Sequence, residues 1–124
     1  MNLRDPKIIA LLFNECINNR DIEGLARLMT EDHTFIDREN TTVKSKQDMI
    51  ASWSKFFKAF PIYKNTFDRI ESYDDIVIMI GHAYWSKDNK YDRAIWSARI
   101  RNDLVAEWRV YYDNDENRRS LKVI

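Results

Sequence analysis

The chain of 124 residues reads as a segregated α+β domain in which helices come first and a sheet afterwards. Two observations predict this. Up to Pro61 the apolar residues recur at helical spacing: Ile9, Leu12, Phe13 and Cys16, then Leu25, Leu28 and Met29, then Met49, Trp53, Phe56, Phe57 and Phe60. Beyond Pro61, β-branched and aromatic residues alternate through to Tyr112. With two Gly and two Pro there is no linker or internal repeat, so residues 1–124 form a single domain. Helices laid on a sheet enclose a pocket when the sheet curves, so the change of period points to a cavity.

Asp5-Pro6 reads as an N-cap followed by Pro at the first helical position, opening a helix to about Asn18. Asn18-Asn19-Arg20-Asp21 is a turn, and Asp21 caps a short second helix carrying Ile22, Leu25, Leu28 and Met29. Glu31-Asp32-His33 is expected to break it ahead of a short strand, Thr34-Phe35-Ile36-Asp37. A polar loop from Arg38 to Lys44 leaves room for a brief strand around Thr41 to Val43. Ser45-x-x-Asp48 resembles a capping box and opens a third helix through about Ala59, which Phe60-Pro61 ends. Four longer strands follow, at Tyr63–Ser72, Ile76–Ser86, Tyr91–Arg101 and Leu104–Tyr112. Their separators, Tyr73-Asp74-Asp75, Lys87-Asp88-Asn89-Lys90 and Asn102-Asp103, are short and polar, as antiparallel hairpins require.

Charge and composition exclude several classes of function. The 20 basic and 20 acidic residues cancel, which argues against nucleic-acid binding driven by counterion release. Arg99, Arg101, Arg118 and Arg119 read as solvated charges. No run approaches the length of a membrane-spanning helix, so no membrane partner is expected. The N-terminal stretch Met1–Pro6 is polar, and the single Cys16 reads as a small core residue, so the reducing cytoplasm is the expected compartment.

Ile76, Ile78 and Ile80 alternate with Val77, Met79 and Gly81, so both faces of that strand are apolar. The helices can cover one face. A second copy of the chain, packed sheet to sheet as a homodimer, would cover the other; the alternative is that the C-terminal tail folds back over it.

Asn18-Asn19-Arg20-Asp21-Ile22-Glu23-Gly24-Leu25, Phe35-Ile36-Asp37, Trp53-x-x-Phe56-Phe57-x-x-Phe60-Pro61 and Glu107-Trp108-Arg109-Val110-Tyr111-Tyr112-Asp113 resemble the nuclear transport factor 2-like superfamily. Within it they are most similar to the SnoaL-like branch, which includes polyketide cyclases and ketosteroid-isomerase-type proteins. The resemblance spans nearly the whole chain. It implies a cone-shaped α+β barrel of the cystatin-like type, with three N-terminal helices on a strongly curved antiparallel sheet. An apolar pocket opens between the layers in this family, and the sheet's outer face commonly forms a dimer.

By this resemblance Asp37 sits where the isomerase branch places its general base. A carboxylate at the end of a strand entering the core is partly desolvated, and desolvation makes carboxylates stronger bases. The alternative is that Asp37 bonds local backbone at the strand-to-loop turn. The branch's two oxyanion donors fall on Phe13, which cannot donate, and on Trp96, whose indole N–H is a weak substitute; steroid isomerisation is therefore not expected.

Trp108, Val110 and Tyr112 share one face of the last strand, which the family turns to the pocket; Tyr112 would then offer a phenol opposite Asp37. His33 is placed at the cavity mouth as a possible acid–base partner of Asp37, with a buried structural role as its alternative. His82 shares the parity of Ile78 and Ile80 and is expected on the outer face. Trp53, Phe57 and Met79, with Phe13, Trp96, Trp108 and Val110, are the candidate ligand contacts. Two histidines and one cysteine make no zinc site, and no phosphate loop or dinucleotide fingerprint occurs, so neither metal nor cofactor is expected. The expected partner is a small apolar molecule, carbonyl-bearing or polycyclic. Two outcomes stay open: cofactor-independent isomerase, cyclase or dehydratase chemistry with Asp37 as base, or a non-catalytic ligand-binding or dimerisation module.

Overall fold

Each of the first three helices starts where a side chain caps it. A computed structural model of the chain describes residues 3–85 and 91–123. Asp5 accepts the Lys7 N–H at 3.0 Å and opens α1 (Pro6–Asn18). Asp21 accepts the Gly24 N–H at 2.9 Å and opens α2 (Ile22–Leu28). Ser45 accepts the Asp48 N–H at 3.2 Å and opens α3 (Lys46–Ala59). Each such cap contributes about 1 kcal/mol. The buried stripe of α1 runs through Ile9, Phe13 and Ile17, with Ala10 and Asn14 beside them. Leu12, expected on that stripe, is turned outward, and Cys16 is half-buried beside Asp21.

The strands are β1 (Met29–Ile36), β2 (Thr42–Lys44), β3 (Lys64–Tyr73), β4 (Ile76–Tyr84), β5 (Tyr91–Arg101) and β6 (Leu104–Tyr112). They form one sheet in the order β2-β1-β6-β5-β4-β3. Three expectations are corrected here. The sheet is mixed rather than antiparallel, because β1 runs parallel to β6 while the other pairings are antiparallel. It is also open, with β2 and β3 as separate edges, so the cone is not a closed barrel. Finally, Glu31-Asp32-His33 does not break the chain: α2 passes directly into β1, which pairs with β6 across a register shift between Met29 and Thr34. Long-range pairing here overrides a polar local sequence. The expected end of β4 at Ser86 and the turn Lys87 to Lys90 lie outside the described residues.

The helices cover the concave face, where Val77, Met79, Trp96, Ala98, Val105 and Trp108 meet Ile9, Phe13, Leu25 and Trp53. A polar cluster fastens α1 to β3: Asn18 accepts the Asn65 N–H at 2.9 Å, and Asn14 accepts the buried Asn65 amide at 3.1 Å. Register shifts at Phe67/Arg69 and at Arg99/Ile100 mark bulges, which bend the strands that carry them. Gly81 of β4 pairs with Phe67, where the β3 register shifts. A Cβ there would overlap the Thr66 carbonyl oxygen and sit 2.8 Å from the Phe67 Cα, so no side chain fits.

The tail adds an element that the periodicity does not announce, α4 (Asp115–Ser120), capped by Asn114. It carries Leu121 and the fully buried Val123 onto the outer face, against Ile76, Ile78, Ile80, Ile95 and Tyr111. Tyr73 and Arg69 donate to the carbonyls of Lys122 and Val123 at 2.9 and 3.0 Å. Asp113, held low by Arg118 and Arg93, ties the root of the tail to the sheet. Of the two ways to cover the outer isoleucines, the tail is the one seen within the chain. No described helix is long and apolar enough to cross a membrane.

Candidate functional site

The concave face is not completely filled. A cavity of about 360 Å³ lies between α3, the β1–β2 hairpin and the strands β5 and β6. Phe35, Val43, Met49, Trp53, Phe56, Tyr63, Trp85, Trp96, Trp108 and Val110 form its apolar wall, with Ser52 beside them and Asp37, Arg38 and Glu39 on the hairpin side. α3 supplies Met49, Trp53 and Phe56, which fall on one helical face at spacings of four and three residues. β1 supplies Phe35, paired with Trp108 of β6.

The aromatic rings fix one another. Trp53 stacks on Phe57 at 5.3 Å between centroids, and Phe56 meets Tyr63 edge-on at 4.8 Å and Trp85 at 5.7 Å. Tyr63 and Trp85 also meet edge-on, at 4.8 Å. Such pairs add about 0.5–1.5 kcal/mol beyond burial and hold the wall in one arrangement. Burial pushes the Tyr63 phenol up, so it stays protonated.

Asp37 leaves the sheet at the cavity and closes the β1–β2 turn. Its Oδ1 accepts the N–H groups of Glu39 and Thr41, each at 2.9 Å, while its own N–H and C=O bond Thr41 and Asn40. Asp37 therefore combines two roles that the sequence presents as alternatives: it lines the cavity, and it bonds the local backbone. Next to it, the Arg38 guanidinium lies 3.6 Å from Asp92 and 4.8 Å from the centre of the Tyr112 ring.

The remaining candidates fall into two groups. Trp53, Trp96, Trp108 and Val110 line the cavity as expected. Phe13, Phe57 and Met79 do not: they pack one layer behind the wall, Phe13 against Trp108 at 4.8 Å and Phe57 against Trp53. Tyr112 has the expected parity, yet it lies at the rim, half exposed, and its hydroxyl donates to Glu39 rather than facing Asp37. That bond raises the phenol's pKa, chiefly because a carboxylate holds its proton.

His33 is also displaced from its expected place. It is completely buried within β1 against Phe13, with Nδ1 donating to the Val105 carbonyl at 2.7 Å. This fixes the tautomer and leaves Nε2 without a partner among the described residues. Burial lowers its pKa, so the ring is neutral and structural, away from the mouth. His82 does face outward, 3.4 Å from Asp68 and edge-on to Tyr91.

Phe35, Val43, Met49, Ser52, Tyr63, Trp85, Arg38 and Glu39 are wall residues that the sequence pattern does not single out as ligand contacts. A signal existed for one of them. Phe35 shares strand parity with His33 and Asp37, so a strand that buries one turns the others the same way. No group of three or more His, Cys, Asp or Glu side chains suited to a metal occurs among the described residues.

A helical layer on an open curved sheet, with an aromatic cavity between them, is the architecture of cystatin-like and nuclear transport factor 2-like proteins. Residues 10–116 match the model of the SnoaL-like domain, and the chain belongs to that family. No curated protein matches it in sequence.

Solved structures agree on the fold. An uncharacterised cystatin-fold protein from Novosphingobium aromaticivorans superposes with a TM-score of 0.78 at 13% identity, over 86% of this chain and 97% of that one. A candidate SnoaL-like polyketide cyclase from Shewanella putrefaciens gives 0.76 at 16% identity, covering 99% and 100%. An epoxide hydrolase from Mycobacterium tuberculosis, of the type abbreviated LEH-like, gives 0.77 at 10% identity, covering 87% and 82%.

Proposed function

We propose that this SnoaL-like protein binds a small apolar molecule, polycyclic or carbonyl-bearing, in the cavity between α3 and the sheet. One observation carries the reading: an aromatic cavity of about 360 Å³ with a charged group of side chains on one side only. That size and that distribution of polarity are typical of small-ligand sites.

Catalysis is the second reading, favoured by Asp37, which lines this cavity and would act as general base in a cofactor-independent isomerase, cyclase or dehydratase. Against it stand the positions of its supposed helpers, His33 in the core and Tyr112 on Glu39. Without these two, Asp37 lacks the helpers expected to assist it, and a missing oxyanion donor costs several kcal/mol of transition-state stabilisation. Binding without turnover is accordingly the stronger reading. A thermal-shift screen of apolar ketones, lactones and polycyclic compounds tests both. Hits that Asp37→Asn binds but no longer converts support catalysis; hits that neither protein converts support a binder; no hits remove both.

The proposed compartment is the cytoplasm, from the polar N-terminal stretch and the single cysteine. A homodimer through the outer sheet face would have to share or displace the tail over Ile78, Ile80 and Ile95. A monomer in sedimentation at micromolar concentration would remove that proposal.

A further inference from the structure

Few groups in the proposed pocket can recognise a carbonyl. Recognition of a carbonyl oxygen requires a donor that reaches it. The indole N–H groups of Trp53, Trp85 and Trp96 have no partner among the described residues, but each exposes almost no surface. The wall's one cation among the described residues, Arg38, is already engaged by Asp92 and by the Tyr112 ring. What the wall leaves open are acceptors. The Asp37 carboxylate is oriented by two backbone N–H bonds that both fall on Oδ1, and Glu39 beside it accepts the Tyr112 hydroxyl through Oε1 and keeps its second oxygen. Ser52 and Tyr63 contribute hydroxyls that can either donate or accept.

Two carboxylates at one end of a cavity walled by tryptophan, tyrosine and phenylalanine favour positive charge twice. The carboxylates attract it directly, and the ring faces attract it through their quadrupoles. We infer that the ligand of this site is an aromatic or polycyclic amine, bound with its ring system against the tryptophans and its protonated nitrogen at Asp37 and Glu39. The inference rests on the pocket reading above and narrows its ligand class. Because Glu39 is exposed, part of the attraction is screened, and selectivity for the cation falls as salt rises.

The test uses three probes of one shape and different charge: tryptamine, 3-ethylindole and indole-3-propionate. Each is titrated calorimetrically into the full-length protein at neutral pH and low salt. Tryptamine is expected to bind at least tenfold more tightly than 3-ethylindole, with indole-3-propionate weakest. Asp37→Asn keeps the turn's acceptor oxygen, and Glu39→Gln changes an exposed side chain, so both variants should fold. Combined, they should remove most of tryptamine's advantage while leaving 3-ethylindole unchanged. If 3-ethylindole or indole-3-propionate binds as tightly as tryptamine, the amine inference is overturned and the pocket reading stands. Survival of tryptamine's advantage through both substitutions would overturn the amine inference in the same way. If none of the three binds at millimolar concentration, the pocket reading falls and takes the inference with it.

Discussion

The two faces of the sheet start from the same problem and end differently. Both are apolar along β4, where Val77 and Met79 point one way and Ile78 and Ile80 the other. On the outer face a short tail brings Val123 and Leu121 onto the isoleucines and completes a small apolar cluster. On the concave face three helices and far more aromatic surface leave a cavity of about 360 Å³ unfilled. A few aliphatic side chains can close a face because they are small and adapt to one another. Large rings locked edge-to-face cannot collapse onto the remaining space, so it persists. The outer face is closed by the chain itself, while the inner one keeps an open space.

The sharpest way to break this contrast is to remove a wall residue that also serves the core. Trp108→Ala deletes a buried ring that touches both Phe13 and the cavity, and should cost about 3–5 kcal/mol in urea denaturation. A loss below about 1 kcal/mol would mean that the concave core is not held as described.

Next comes the outer seal. Val123→Asp places a charge in a fully buried position and should detach the tail, for a loss of about 2–3 kcal/mol. The bared isoleucines should then make this variant self-associate in sedimentation more than the parent does. An unchanged stability would show that the tail does not close the face.

The third effect depends on pH. His33 has its pKa lowered in the folded chain, so the unfolded state takes up its proton first as pH falls. Its contribution is fully present above the ordinary imidazole value of about 6.5 and is lost as pH drops below that value toward the folded one. Stability should decline through this window, and His33→Gln should flatten the decline. Equal slopes for the two proteins would remove His33 as the cause.

The smallest change in stability is expected for Ser52→Trp, which fills the cavity from α3 at a half-buried position. It should alter stability by about 1 kcal/mol or less while abolishing the binding of any ligand found for the parent. Retained binding would place the ligand elsewhere.

The change of period at Pro61 made the layers legible, and β5 and β6 fall where alternation and polar turns put them. Two elements were hidden for physical reasons. Glu31 and Asp32 are exposed on the first half of β1, so that stretch shows no apolar alternation, and its strand state comes from pairing with β6. Residues Asp115 to Ser120 bury no side chain, so α4 has no hydrophobic period to read; the apolar anchors, Leu121 and Val123, lie beyond it. At the site, Asp37 was visible through its neighbours Phe35 and Ile36. The division of aromatic residues into wall and packing was not, because Phe56 and Phe57 are adjacent in sequence and differ only in which side of α3 meets the sheet. Tyr112 misled for a related reason. Its parity is right, but it is the last residue of β6, and the rim carboxylate of Glu39 takes its hydroxyl.

The parallel pairing of β1 with β6 also orders events in time. His33 and the Val105 carbonyl that holds it are 72 residues apart in the chain, and Phe35 faces Trp108 across the same ladder. A contact of that range closes late, because the loop between its ends must first be gathered at an entropic cost. During synthesis, α1, α2 and β1 leave the ribosome long before the strand against which β1 must lie. The hairpins β3–β4 and β4–β5 can form from neighbouring sequence, but the cavity has no far wall until the last strand arrives. Folding of this domain should therefore finish at the cavity, which is among the last parts of the molecule to exist.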